Sequence, residues 1–264
     1  DLDTSLRTVA EERLTLDQAV APIALGMANH PDLESYDLSS LRYVMWGATP
    51  VAEEVARAVT RRSGVRWLPA YGTSEVPVIA CNPVQEPDRW RLDTVGLAVP
   101  GVELRIVEPE RGDVLPAGAT GEIEVLSESR MAGYLPESET AAAFRDGWYR
   151  TGDIGWLEPE GGLHITDRLK EMVKVRGFQV APAEIEAVLH ADPRVRDCAV
   201  FGVPDPELGE AIVAAVVVVD GERVTAAELQ EAVASALAGY KRVREVQFVD
   251  EIPRLPSGKA LRRA

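Results

Sequence analysis

The spacing of apolar positions along this chain changes twice. Through "VAEEVARAVTRRSG" they recur at helical intervals, which predicts an amphipathic helix stopped by Gly64. The flanking stretches "LRYVMW" and "VRWLPA" are short and apolar, and each runs into a Gly-containing turn, so both predict strands. "TLDQAVAPIALGMANHP" opens with Thr15 and Gln18 at capping-box spacing. It predicts a helix that Pro22 either kinks or delays. This strand–turn–helix–strand order predicts a parallel α/β layer.

From about Asp93 the rhythm shortens. "GVELRIVE", "GEIEVL", "GWYRTGDIGWLE" and "LHIT" predict strands separated by Gly, Pro and Asp turns, as in a small antiparallel sheet or barrel. After "DRLKEMVKVRG" helix and strand alternate again. "PAEIEAVLHAD" places Ile185, Val188 and Leu189 on one helical face, and "VRDCAVFGV" and "AIVAAVVVV" predict strands. "TAAELQEAVASAL" predicts a helix with a capping box at Thr225 and Glu228, and "REVQFVD" a last strand. The expected fold class is α/β plus α+β. Residues 1–92 form an α/β layer, 93–168 an antiparallel β subdomain and 169–264 a compact α+β domain.

Composition narrows the ligand class. The 264 residues carry a formal charge of -15, which excludes general nucleic-acid binding because phosphate backbones need a basic face. The end differs from the body: Ser235 to Ala264 holds seven Lys or Arg against three Asp or Glu, a net of +4. That contrast suits small anionic ligands. Cys81 and Cys198 lack CxxC spacing and read as buried small hydrophobes in a reducing compartment. His30, His164 and His190 share no zinc-ligand spacing. The run at 211–219 is too short to cross a bilayer, and the N-terminus lacks an apolar signal core, so a cytoplasmic protein is expected.

Three turns carry candidate chemistry: "GATP" with Gly47, Ala48 and Thr49, "YGTSE" with Gly72, and "TGD". Such turns expose backbone N–H groups and hydroxyls, which hold phosphates and nucleotide sugars, although each is also ordinary turn chemistry. Tyr71 can stack on a base, Thr73 can donate to a phosphate, and Glu75 can hold Mg²⁺ through oxygen. Asp153 can bridge the hydroxyls of a ribose or sit at a hairpin tip. "DRLKEMVKVRG" is a basic connector in an acidic protein. The closing "LPSGKALRR" is not a phosphate-binding P-loop, because Pro253 and Ala260 stand where Gly and Ser or Thr are needed. By itself it reads as a solvated tail.

Taken together and in order, "GATP", "YGTSE", "GWYRTGDIGWLEPEGGLHITDRLKEMVKVRGFQVAPAEIEAVL" and "IPRLPSGKALRR" resemble the acyl-CoA synthetase branch of the adenylate-forming superfamily. Firefly luciferase, 4-coumarate–CoA ligases and peptide-synthetase adenylation domains belong to the same superfamily. The resemblance implies ATP, Mg²⁺ and CoA as cofactors and a small lid domain that rotates between two half-reactions. It places Tyr71 by the adenine, Thr73 at the α-phosphate, Glu75 on Mg²⁺, Asp153 on the ribose with Arg168 nearby, and Lys170 at the hinge. Lys174 and the backbone of Gly177 then serve thioester formation, and Lys259 bridges the carboxylate and the α-phosphate.

Two departures shape the expectation. The family's Ser/Thr/Gly-rich loop ending in Lys-Gly is missing, and the chain begins in mid-domain, as the C-terminal half of a longer enzyme would. Ala70 replaces a common Gly. Trp46 either borders the acyl pocket or is a core aromatic, and with Met45 and Val76 it forms an apolar wall suited to a fatty or aromatic acid. The expected activity is ATP-dependent acyl- or aryl-CoA ligation, incomplete in this chain alone. Loading of a carrier protein, a luciferase-like oxidation and a silent nucleotide- or CoA-binding domain stay open, as does a homodimer.

Overall fold

The structure, a computed structural model, describes residues 1–48, 53–254 and 260. It divides into two units, Asp1–Thr151 with Gly155–Ile165, and Gly152–Ile154 with Thr166–Ala264.

In the first unit, α1 (Leu2–Glu11) is capped by Asp1, whose Oδ1 accepts from the Asp3 N–H at 3.1 Å, and it buries Leu6 and Val9. The next stretch departs from its sequence pattern. Thr15 and Gln18 do not cap a helix: Leu16–Ala19 is a strand, β1, and α2 (Ala21–Ala28) starts later with Pro22 in its first turn. Pro fits there because its missing N–H has no helical partner to lose. After α2 come β2 (Tyr43–Trp46), α3 (Glu53–Ser63) and β3 (Trp67–Tyr71). Gly64 ends α3 with φ +74°, and its N–H donates to Thr60 O at 2.8 Å. β1, β2 and β3 pair in parallel, as the alternation of element types requires. The short strands β4 (Ala80–Cys81) and β5 (Leu97–Ala98) extend the sheet antiparallel, in the order β1-β2-β3-β4-β5.

A second sheet follows from β6 (Val102–Val107), β7 (Gly121–Ser127), β8 (Phe144–Arg145) after the helix α4 (Ser138–Ala143), β9 (Trp148–Leu157) and β10 (Leu163–Arg168). Its order is β10-β9-β7-β6, with β8 on β9, and the β6–β7 and β8–β9 pairs are antiparallel. "TGD" is therefore not a hairpin tip. It lies inside β9, where Gly152 takes φ +68° and supplies the local distortion that reads as a turn in sequence.

The second unit carries β11 (Val173–Val175), β12 (Phe178–Val180), α5 (Pro182–His190), β13 (Val195–Asp205), β14 (Gly209–Val218), α6 (Ala226–Ala236) and β15 (Glu245–Phe248). β14 is the spine: antiparallel to β11 and β13, parallel to β15. Its Ile212, Ala214 and Val216 pack with Ile185 and Leu189 of α5 and Leu229 and Val233 of α6. The capping box of α6 forms in full. Cys198 is buried in this core, whereas Cys81 is only half-buried, against expectation. No helix among the described residues is long and apolar enough to cross a membrane.

Candidate functional site

The turn after β3 is built by reciprocal hydrogen bonds. The Thr73 N–H donates to Val76 O at 2.9 Å, and the Val76 N–H donates back to Thr73 Oγ1 at 3.1 Å. The Ile79 N–H donates to Tyr71 O at 2.8 Å and draws the chain back alongside β3. Gly72 is required here, since a Cβ would stand 2.0 Å from Pro77 O. Three side chains sit deeper than the sequence suggested. Tyr71 packs with Val76 and Ile79 in the core, so little of its ring is available to stack on a base. Val76 is fully buried, and Trp46 lies edge-on to Trp67 at 5.1 Å in the core beneath β2. Both Trp46 and Val76 are therefore buried within the first unit.

Glu75 is the chemical centre of this turn. Its Oε1 accepts from the Tyr134 hydroxyl, and its carbonyl accepts from the Met131 N–H at 2.7 Å. Burial works to raise the Glu75 pKa. Hydrogen bonds from Tyr134, the backbone, Thr73 and Tyr149 outweigh it, and the carboxyl is held below the usual carboxylate value. Its neighbours move the other way. Burial raises the Tyr149 phenol far above its ordinary range, with the Tyr134 contact and the Glu75 charge adding to it, and burial and the Glu75 contact raise Tyr134. The result is an ionised carboxylate held by neutral hydroxyl donors. No group of three or more His, Cys, Asp or Glu among the described residues forms a metal cage. A single carboxylate fits Mg²⁺ bound mainly through substrate phosphates, since that ion keeps few protein ligands.

At the exit of β2, the Gly47 N–H donates to Ala19 O at 3.5 Å. Ala48 takes φ +65°, an uncommon conformation for a residue with a Cβ, and is exposed. Thr49 lies outside the described residues.

Residues 1–135 match the AMP-binding enzyme family, and residues 184–259 match the AMP-binding enzyme C-terminal domain. The chain belongs to the AMP-binding enzyme family. It is 41% identical over 271 residues to 4-coumarate–CoA ligase-like 9 of Oryza sativa subsp. japonica, covering 100% of this chain and 49% of that protein. The fold resembles the amide bond synthetase McbA from Marinactinospora thermotolerans at a TM-score of 0.89 and 38% identity, over 99% of this chain and 53% of that one. It also resembles the o-succinylbenzoate CoA synthetase MenE from Bacillus subtilis, solved with its acyl-adenylate intermediate, at a TM-score of 0.84 and 28% identity, over 99% and 53% of the two chains. The chain spans about half the length of the curated relatives it matches.

The second unit carries the remaining candidates. Asp153 is buried on β9, and Arg168 Nε lies 3.0 Å from its Oδ1. Lys170 is exposed in a short 3₁₀ turn, Leu169–Glu171. Lys174 is exposed on β11, and its backbone N–H donates to Glu210 Oε2 at 2.6 Å. Arg176 and Gly177 link β11 to β12 with φ +50° and +84°, the two positive values of a tight hairpin turn, so Gly177 sits at the tip with open space around it. Lys259 lies outside the described residues.

Sequence reasoning missed Tyr134, Tyr149 and Asp167. The tyrosines lie far from Glu75 in sequence, in "AGYL" and "GWYR", and neither stretch signals a hydrogen bond. Asp167 Oδ2 accepts from the Ala183 N–H at 3.1 Å and so caps α5 from outside the helix. A cap so distant has no fixed spacing to search for.

Proposed function

We propose that this protein supplies the C-terminal portion of an ATP-dependent, AMP-forming acid–thiol ligase centre. The observation that carries the reading is Glu75, an ionised carboxylate beyond the end of parallel strand β3 whose partners are hydroxyls and backbone N–H groups. Ligands of α/β layers gather beyond the carboxyl ends of such strands. Bound there, Mg²⁺ would neutralise phosphate charge and orient the leaving pyrophosphate.

The chain's own residues divide the remaining tasks. On ligand binding the Thr73 hydroxyl turns from Glu75 to donate to the α-phosphate, with Gly72 and the Gly47–Ala48–Thr49 turn presenting backbone groups. Tyr71 borders the adenine with its edge and backbone, and Asp153 accepts from the ribose hydroxyls. In the first half-reaction a carboxylate oxygen of the acid attacks the α-phosphorus and the bond to pyrophosphate breaks. Lys259 offsets the repulsion between the two anions, where one ammonium in a desolvated site contributes several times its worth at a surface. In the second, the CoA sulfur attacks the acyl carbon, AMP leaves, and the thiol proton passes to solvent. Lys174 and Gly177 serve this step. The unit beginning near Lys170 acts as a lid, a hinge motion of a familiar kind. The domain limits at 92/93 and 168/169, a cytoplasmic location and a homodimer belong to the same proposal.

The acid is fatty or aromatic. The relatives named for 4-coumarate and o-succinylbenzoate favour the aromatic class. Likeness to an amide bond synthetase supports a second reading, in which an amine replaces the thiol as acceptor.

The test is ATP–pyrophosphate exchange over a panel of aromatic and fatty acids. It is run on the protein alone and on the protein joined to the N-terminal half of the rice relative. CoA, an amine and a carrier protein are then offered as acceptors. Acid-dependent exchange followed by thioester formation supports the ligase. Amide formation or carrier loading selects the other readings, and binding of MgATP with no exchange in either form selects a silent nucleotide-binding domain.

A further inference from the structure

We infer that Tyr134 is a positioning residue for Glu75, fixing the rotamer of the carboxylate assigned to the metal–nucleotide complex; this rests on the proposed function above. The segment around Tyr134 is tied to Glu75 at two points. The Met131 N–H donates to the Glu75 carbonyl at 2.7 Å, and the Tyr134 hydroxyl donates to Oε1 of the same residue. Tyr134 is itself anchored, since its backbone N–H donates to Thr140 Oγ1 at 2.8 Å. Gly133 lets this happen, because a Cβ there would stand 2.8 Å from the same Oγ1. The chain thus runs from α4 through Thr140 and Tyr134 to the tip of the turn after β3.

A glutamate has three side-chain torsions and loses that freedom whenever its carboxylate must occupy one place. Here the freedom is removed before any ligand arrives. The hydroxyl donates to Oε1 and leaves further lone pairs on the carboxylate for a cation, because an ionised carboxylate accepts through both oxygens. A neutral donor suits this task better than Arg or Lys, which would compete with the cation for the same charge. Tyr149 of β9, buried in the same core cluster as Tyr71 and Val76, helps to hold the Glu75 carboxyl below its ordinary value. Tyr134 touches no reacting atom in this role, so its effect reaches the nucleotide only through Glu75.

The experiment measures ATP affinity by calorimetry, with Mg²⁺ and with EDTA, for the protein and its Tyr134→Phe and Glu75→Gln variants. A second measurement follows the Tyr134 ring carbon bearing the hydroxyl, by ¹³C NMR of tyrosine-labelled protein. Tyr134→Phe should lower MgATP affinity about tenfold, the scale of one hydrogen bond to a charged group, and leave metal-free ATP affinity within about twofold. Glu75→Gln should shift the Tyr134 carbon resonance, a readout that stands even where Tyr134→Phe does not fold. Equal loss of ATP affinity with and without metal would assign Tyr134 a merely structural role and overturn the inference. So would unchanged Mg²⁺ dependence in Tyr134→Phe, or an unmoved resonance in Glu75→Gln. If the unaltered protein showed no Mg²⁺-dependent nucleotide binding, the proposed function would fail first and this inference with it.

Discussion

Arg168 reaches Asp153 across the second unit, its Nε 3.0 Å from Oδ1 of a carboxylate that is almost fully buried. The arginine is half exposed, so water screens the pair and its contribution to stability is about 1 kcal/mol or less. Arg168→Ala should leave the melting temperature nearly unchanged and alter AMP affinity only mildly. Asp153→Asn, which replaces a charged acceptor, should weaken AMP about tenfold or more by calorimetry. Equal effects of the two substitutions would remove Asp153 from the ribose.

A buried charge cluster makes the opposite prediction. Glu124 on β7 is fully buried, and Arg105 donates to its Oε2 through Nε at 2.8 Å and Nη2 at 2.6 Å. Arg145 Nη1 lies 3.1 Å from Oε1 but is not aligned to donate, so that contact is an ion pair without a hydrogen bond. Glu124→Ala leaves two arginines facing a void and should cost about 3–5 kcal/mol in urea denaturation. Glu124→Gln, which keeps the volume and an acceptor, should cost less.

Gly72→Ala tests the turn itself. Its Cβ would meet the Pro77 carbonyl, which is backbone and has no rotamer to give. The turn must open, carrying Thr73 and Glu75 with it. Loss of Mg²⁺-dependent nucleotide binding should therefore exceed any loss of melting temperature. A silent Gly72→Ala would show that the turn is not the binding element.

Acid pH should unfasten α6. Hydrogen bonds from the Thr225 side chain and backbone, then Arg194, hold the Glu228 carboxyl down at about 2, from an ordinary 4.5. A depressed carboxylate contributes stability above its unfolded pKa and loses it as pH falls toward the folded value. The stability advantage of the protein over Glu228→Gln should thus be full at neutral pH and shrink between about pH 4.5 and 2. Thermal melts of both forms across that interval measure it. A constant difference would mean that the charge of Glu228 contributes nothing to the cap.

Local rules held where the signal was also local. Thr225 and Glu228 form the box that their spacing predicts, because α6 packs Leu229 and Val233 into the core and nothing competes for Thr225. The same spacing failed at Thr15 and Gln18. There the backbone of Leu16–Ala19 pairs in register with Tyr43–Trp46, and a sheet partner outweighs a cap. "TGD" failed for a related reason: one glycine at positive φ imitates a turn inside a continuous strand.

The sequence alone determined the helices α3, α5 and α6, strands such as β2, β3, β13 and β14, the parallel-to-antiparallel change and the family resemblance, since each rests on periodicity or on residues close along the chain. Tertiary structure alone decided that Tyr71, Trp46 and Val76 are buried, that Arg168 sits on Asp153, and that Tyr134 holds Glu75. Those relations depend on which distant segments meet. A hydrogen bond between residues far apart in sequence leaves no periodic trace, because its geometry is set by packing rather than by chain distance.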